Sequence, residues 1–204
     1  MKLYDYSKSS AAYRLRIALN LKGLDYEKVN VNLLHGEQKG DDYKALNPQG
    51  LVPALEDKTL YTQSLAILEY LEEAYPQTPL LPNNLADKTQ VRALALSIAC
   101  DIHPLNNLRV LKYLTVDMAL SEEQKMQWYH HWISEGFTAL EKQLAETAGT
   151  FSFGDAPSIV DVCLVPQVFN ANRFKVPMDA FPTIKRIVAQ CETLEAFKLA
   201  HPDA

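Results

Sequence analysis

The chain has 204 residues, 48% of them hydrophobic and 22% charged, with a net charge of −5 at neutral pH; this is an ordinary globular composition with room for one large or two modest cored domains. The acidic balance gives no electrostatic footprint for nucleic acid, and no run approaches the roughly 18 uncharged apolar residues a membrane helix needs. The N-terminus Met1-Lys2-Leu3-Tyr4-Asp5 lacks the apolar stretch and cleavage site of a secretory signal. Cys100, Cys163 and Cys191 are far apart and form neither a CxxC pair nor a metal-ligand spacing, so reduced core thiols and a cytoplasmic location are expected.

Residues 2–6 read as a short strand. It leads into Ser9-Ser10-Ala11-Ala12-Tyr13-Arg14-Leu15-Arg16-Ile17-Ala18-Leu19, where two hydroxyl residues precede an amphipathic helical pattern with Ala11, Leu15, Ala18 and Leu19 on one face. The helix should stop at Lys22-Gly23, because glycine tolerates the left-handed backbone that ends helices. Its N-terminus, with unpaired N–H groups and the positive end of the dipole, is suited to an anion. A serine there also serves as a plain helix cap, and at this point both readings stand.

Residues 26–33 alternate Val29, Val31 and Leu33 and predict a second strand, parallel to the first through a β-α-β crossover. Residues 35–45 are polar and read as a loop with a short helical turn. In Leu46-Asn47-Pro48-Gln49-Gly50-Leu51-Val52-Pro53-Ala54-Leu55, the Asn-Pro and Gln-Gly pairs mark turns. Pro53 then belongs at a strand start and is a candidate for a cis bond. Thr59-Leu60-Tyr61 returns as a hairpin strand. Ser64 is placed as the N-cap of a helix over 65–75, leaving a second N-terminus open to an anion.

Pro76, Pro79 and Pro82 make a stiff linker, dividing the chain into residues 1–78 and 85–204. Beyond it strand signals vanish. A long helix over 87–114 is expected to bend at His103-Pro104, since proline removes an i→i−4 bond. Ser121-Glu122-Glu123-Gln124 fits a capping box for a helix reaching Thr147, and 151–157 reads as a loop. Ser158-Ile159-Val160-Asp161 opens a strongly apolar helix through Phe169, the expected hub of the second domain. Short helices over 182–191 and 194–199 complete an α/β N-terminal domain, built β-α-β then β-β-α, and an all-α C-terminal domain.

Taken in order, these motifs resemble the glutathione transferases. Ser9-Ser10-x-x-x-Arg14-x-Arg16-Ile17-Ala18-Leu19 is similar to the zeta class in particular, the maleylacetoacetate and maleylpyruvate isomerases. Leu46-Asn47-Pro48, Val52-Pro53, Gln63-Ser64-Leu65-Ala66-Ile67, Leu164-Val165-Pro166-Gln167 and Arg173-Phe174-Lys175-Val176 extend the resemblance across essentially the whole chain. It implies a thioredoxin-like glutathione-binding domain, a helical substrate domain and a homodimer paired through the long helix. The implied activity is glutathione-dependent cis–trans isomerisation of maleylacetoacetate in aromatic amino acid catabolism. Maleylpyruvate isomerisation, and a general transferase that conjugates or dehalogenates small electrophiles, are the alternatives.

The resemblance also implies residue roles. Ser9, and after it Ser10, would donate hydrogen bonds to the glutathione sulfur. Val52 would offer its backbone to the cysteinyl part like an added strand, Gln63 and Ser64 would hold the γ-glutamyl carboxylate, and Gln38 would lie near the glycine end. Asp101 would reach glutathione of the partner subunit, with His103 and Asn107 on one helical face beside the cofactor. Lys8, Arg109 and Arg173 would hold the substrate carboxylates. Ala11 takes a cofactor-side position where the family usually has cysteine, which leaves no enzyme thiol there. His130-His131 has no nearby ligand partners, and no metal is expected.

Overall fold

Strand β1 (Lys2–Asp5) is followed by α1 (Ser10–Leu21), β2 (Glu27–Asn30), a 3-10 turn at Glu37–Lys39, α2 (Asp41–Leu46), the strands β3 (Ala54–Glu56) and β4 (Leu60–Thr62), and α3 (Ser64–Ala74). The computed structural model describes residues 1–204. The strands form one sheet in the order β2-β1-β3-β4. β1 and β2 are parallel, with Tyr4 opposite Val29. β3 runs antiparallel to β1 and β4, with Leu55 opposite both Leu3 and Tyr61. The Val52–Pro53 peptide is cis and ends where β3 begins, the position at which proline costs the ladder no hydrogen bond.

Two compact units result: residues 1–80 together with 192–204, and residues 81–191. The expected second domain, 85–204, therefore loses its last segment. Helix α9 (Glu195–Ala200) packs on α1; Asn20 Nδ2 donates to Ala196 O at 3.0 Å and Arg16 Nε to Ala200 O at 2.9 Å. This contact changes the reading of α1 as well. With α3 and α9 packed against it, α1 buries Ser10 and every residue from Ala12 to Leu19, and the expected amphipathic helix is buried on nearly all sides. Lys22 closes it as the C-cap, and Gly23 follows at φ +65°. The Lys22 ammonium, buried against Glu72 at 2.6 Å, also donates to Tyr75 O and Thr78 O, tying the end of α1 to the end of α3.

In the second unit the long helix over 87–114 is broken into pieces. α4 (Leu85–Leu96) runs into a π-helical turn (Ser97–Ile102) and a 3-10 turn (His103–Asn106), and α5 (Leu108–Lys112) starts afresh before a second π-helical turn (Tyr113–Asp117). Asn107 is extended and caps α5 by accepting from Arg109 N at 3.1 Å, so His103 and Asn107 do not share a helical face. A proline lacking its N–H and a side chain that caps the next turn outweigh helical continuity here. Cys100, expected in the core, is exposed within the π-helical turn, whereas Cys163 and Cys191 are buried.

Both capping boxes form. That of Ser121 and Gln124 opens α6 (Glu122–Thr147), and that of Ser158 and Asp161 opens α7 (Ile159–Arg173). α7 extends past Phe169 to Arg173 and packs on α4 and on α8 (Pro182–Cys191) as the buried hub. Gly136 on α6 permits a close approach to the π-helical turn: a Cβ there would clash with the Ile102 side chain.

Candidate functional site

Ser9 is the N-cap of α1. Its Oγ accepts from Ala12 N at 3.3 Å, its N–H donates to Tyr6 O at 2.8 Å, and its carbonyl accepts from Tyr13 N. A hydroxyl that is already accepting keeps one O–H to donate. Ser10, the first residue of α1, is buried, whereas Ala11 and Ser9 are partly open. Arg16 fixes the loop leading to Ser9: it is 2% exposed, pairs with Asp5 Oδ1 at 2.6 Å and donates to Ser7 O at 2.8 Å. Its guanidinium also covers the Tyr13 ring at 5.0 Å. Burial pushes the Asp5 carboxyl up by more than the Arg16 charge lowers it. Lys8 is exposed in the turn beside Ser9.

The N-terminus of α3 departs from expectation. Ser64 is the first helical residue, and the cap position belongs to Gln63, whose φ of +67° and ψ of 111° are unusual for a residue with a side chain. No side chain caps this helix. Gln63 Nε2 instead donates to Gln49 Oε1 at 2.7 Å, and Ser64 Oγ accepts from Arg14 Nη1 at 3.1 Å. Strained backbone at such a position is characteristic of ligand clamps.

Between these N-termini runs the segment ending in the cis peptide. Leu51 O accepts from Tyr43 Oη at 2.8 Å and Asn47 Nδ2 at 2.7 Å, and burial pushes the Tyr43 phenol up to about 12. The next residue, Val52, is buried, and its own N–H and C=O make no hydrogen bond within the chain. Gln38 is 7% exposed, with its Oε1 buried and unpartnered. It is held beside Gly50, where a Cβ would come within 2.8 Å of Gln38 O and φ is +61°. An open strand-like backbone edge, an uncapped helix N-terminus and an orphaned buried carboxamide fit a short extended peptide bearing carboxylates.

The first unit thus supplies Lys8, Ser9, Ser10, Ala11, Gln38, Val52, Gln63 and Ser64. A surface depression of about 270 Å³ in the same unit, lined by Tyr13, Phe197, Lys198 and His201 among others, contains none of them. The second unit carries the rest. Asp101 is exposed in the π-helical turn and His103 is partly buried at the start of the 3-10 turn. Arg109 is exposed in the first turn of α5, and Arg173 ends α7 with its guanidinium 5.2 Å from the Phe174 ring centre. No group of three or more His, Cys, Asp or Glu residues is placed to hold a metal.

The sequence motif containing Arg14 assigns it no role, and Gln49 reads there only as part of a turn. Arg14 left one usable trace: Arg14 and Arg16 lie two apart in a helix otherwise rich in Ala, Leu and Ile, so they project in different directions and a single polar face cannot take both.

A profile for the glutathione S-transferase N-terminal domain matches residues 8–74, and one for the C-terminal domain matches residues 133–190. A probable maleylacetoacetate isomerase of Vibrio cholerae is 52% identical over 204 residues, covering 98% of this chain and 95% of that protein. A holo structure of a maleylpyruvate isomerase, described as a bacterial zeta-class glutathione S-transferase, superimposes with a TM-score of 0.98 at 47% identity, covering 100% of this chain and 98% of that one. A maleylacetoacetate isomerase of Methylobacterium extorquens AM1, solved with malonate and glutathione bound, superimposes with a TM-score of 0.96 at 42% identity, covering 99% and 96%.

Proposed function

Because the chain belongs to the zeta class of the glutathione S-transferase family, we propose that it is a glutathione-dependent cis–trans isomerase acting on maleylacetoacetate. The observation that carries this reading is full-length likeness to isomerases combined with an α1 N-terminus whose Ser9 hydroxyl retains its donor. Maleylpyruvate is the second reading, favoured by the TM-score of 0.98 to an isomerase of that name.

Glutathione, when bound, supplies a thiolate able to add to and leave a cis double bond, so that rotation about it becomes possible. The chain has no sulfur of its own at Ala11, and Ser9 is the group assigned to the cofactor sulfur, with Ser10 second. A free thiol has a pKa of about 8.5. Each unit by which the Ser9 O–H and the α1 dipole lower it needs about 1.4 kcal/mol of preference for the thiolate, within reach of a charge-assisted hydrogen bond at a helix N-terminus. Val52 would pair its backbone with the cysteinyl residue, Gln63 and Ser64 would take the γ-glutamyl carboxylate, and Gln38 would face the glycine end. Lys8, Arg109 and Arg173 are assigned to the substrate carboxylates, arginine's fork matching a carboxylate in two bonds. Bound malonate in the Methylobacterium relative supports a dicarboxylate ligand. Asp101, His103 and Asn107 remain cofactor-side candidates, the partner subunit's glutathione being assigned to Asp101.

The assembly proposed is a cytoplasmic homodimer. Leu85 and Leu96 on α4, 77% and 46% exposed, support a helix face that a second copy covers; a monomer in sedimentation at micromolar concentration would refute it. No helix is long and apolar enough to cross a membrane. The function is tested by following cis–trans conversion of both substrates with glutathione, with S-methylglutathione and with no thiol. Conversion is expected with glutathione alone, and Ser9→Ala should lower kcat/KM roughly 100-fold. Undiminished turnover without a thiol sinks the proposal.

A further inference from the structure

Two arginines are buried in α1, each 2% exposed. Arg16 has a carboxylate, two carbonyls and an aromatic ring as partners. Arg14 has the Ser64 hydroxyl alone: Nη1 donates to Ser64 Oγ at 3.1 Å, while Nε and Nη2 are buried without hydrogen-bond partners. Burying a cation is costly unless charge and hydrogen bonds compensate it, and a fold that can build the Arg16 arrangement two residues away has not built one for Arg14.

The direction of the one bond is informative. A guanidinium has donors only, and a serine hydroxyl has one donor and two acceptor sites. By donating to Ser64 Oγ, Arg14 takes an acceptor site and cannot receive the hydroxyl proton. That hydroxyl makes no other hydrogen bond within the chain, so its O–H is kept for an acceptor from outside. It stands in the first turn of the uncapped α3, beside Gln63 with its left-handed backbone. Donor polarity, the helix dipole and buried positive charge all favour an anion at one point.

We propose that Arg14 is a positioning residue for the γ-glutamyl α-carboxylate of glutathione, holding Ser64 as a donor and placing fixed positive charge behind the α3 N-terminus. The inference rests on the assignment of Ser64 to that carboxylate.

Titration calorimetry on the purified protein, without turnover, separates the two. The probes are glutathione, an analogue with 4-aminobutyryl in place of γ-glutamyl (amine kept, carboxylate removed) and a glutaryl analogue (carboxylate kept, amine removed). Wild type should bind the aminobutyryl analogue at least tenfold more weakly than glutathione; equal binding overturns the Ser64 assignment and the present inference with it. Given that discrimination, Arg14→Met should weaken glutathione and the glutaryl analogue roughly 10- to 100-fold and leave the aminobutyryl analogue within about twofold. Loss of all three alike, or of none, overturns the role of Arg14 and leaves the assignment of Ser64 intact. Arg14→Lys and Arg14→Gln keep the test open if Arg14→Met does not fold: lysine, retaining the charge, should keep more of the carboxylate discrimination than glutamine. The reverse order, or no difference, refutes the electrostatic part. In an Arg14→Gln, Ser64→Ala double variant, the glutathione losses should be less than additive, since the two residues act as one unit; full additivity refutes the coupling.

Discussion

Helices α7 and α3 each begin with unpaired backbone N–H groups and dispose of them in opposite ways. At α7, Ser158 and Asp161 close a full capping box. The fully buried Asp161 carboxylate accepts from Ser158 N at 2.8 Å, Ser158 Oγ at 3.0 Å and Ser152 N at 2.9 Å. At α3 no side chain caps the first turn, Gln63 holds a left-handed backbone, and the nearby Arg14 keeps two nitrogens without partners. Arg16 and Arg14 repeat the contrast within one helix. Polar groups satisfied from inside the chain hold the fold together, and at α3 the unsatisfied ones stand at the N-terminus proposed to take the ligand.

Asp161→Ala should break the comparison most visibly. Removing the carboxylate strands those three buried donors and the weaker Cys191 thiol at 3.7 Å, and should cost about 3 kcal/mol or more in urea unfolding, with glutathione affinity of the folded protein unchanged. Ser64→Ala should shift the loss toward binding, costing about 1–2 kcal/mol of stability for the one donor it strands, Arg14 Nη1, and weakening glutathione roughly tenfold. Equal destabilisation by the two would dissolve the distinction between the helix ends.

Arg16→Met comes next, at about 3 kcal/mol, because it leaves Asp5 buried without its cation. Burial already holds the Asp5 carboxyl above its ordinary range, and removing Arg16 raises it further. A folded-state pKa above the unfolded value of about 3.9 gives stability that is present below that pH and lost as pH rises. The Arg16→Met deficit should therefore be larger at pH 7 than at pH 4 in unfolding titrations, and adding Asp5→Asn should recover part of it. A pH-independent deficit would speak against this account.

The smallest effect belongs to the β3–β4 turn where it meets α3. The Asp57 carboxyl accepts from Tyr70 Oη at 2.6 Å and Tyr75 Oη at 2.7 Å, which lower its pKa and raise those of both phenols. A lowered carboxyl contributes stability above its unfolded pKa and loses it as pH falls through the folded one. A Tyr70→Phe, Tyr75→Phe variant should be slightly less stable at neutral pH and converge on wild type in acid; divergence in acid would contradict it.

Elements with a local cause were legible in the sequence. The capping boxes at Ser121 and Ser158, the stop at Gly23 and a strand at Val29 each depend on a few neighbouring residues, although β2 ends at Asn30, before Val31 and Leu33 of the alternating run expected over 26–33. Where long-range packing competes, local pattern does not decide the outcome. Helical periodicity ran on through 87–114, yet the chain breaks at His103–Asn106 and caps anew at Asn107. Ser64 has the composition of an N-cap, but the helix starts one residue earlier in the chain's geometry and turns Ser64 toward Arg14.

Sequence alone determined the order of elements, the two-part architecture and the hydroxyl-bearing N-terminus of α1, because spacing, caps and turn residues act over one or two turns of chain. Tertiary structure decided that α9 returns to α1, that α1 is buried on nearly all sides, and that Arg16 is neutralised while Arg14 is not. Those outcomes depend on groups far apart in sequence, such as Ala200 for Arg16 and Ser64 for Arg14, and no local pattern encodes which distant partner a buried charge will meet.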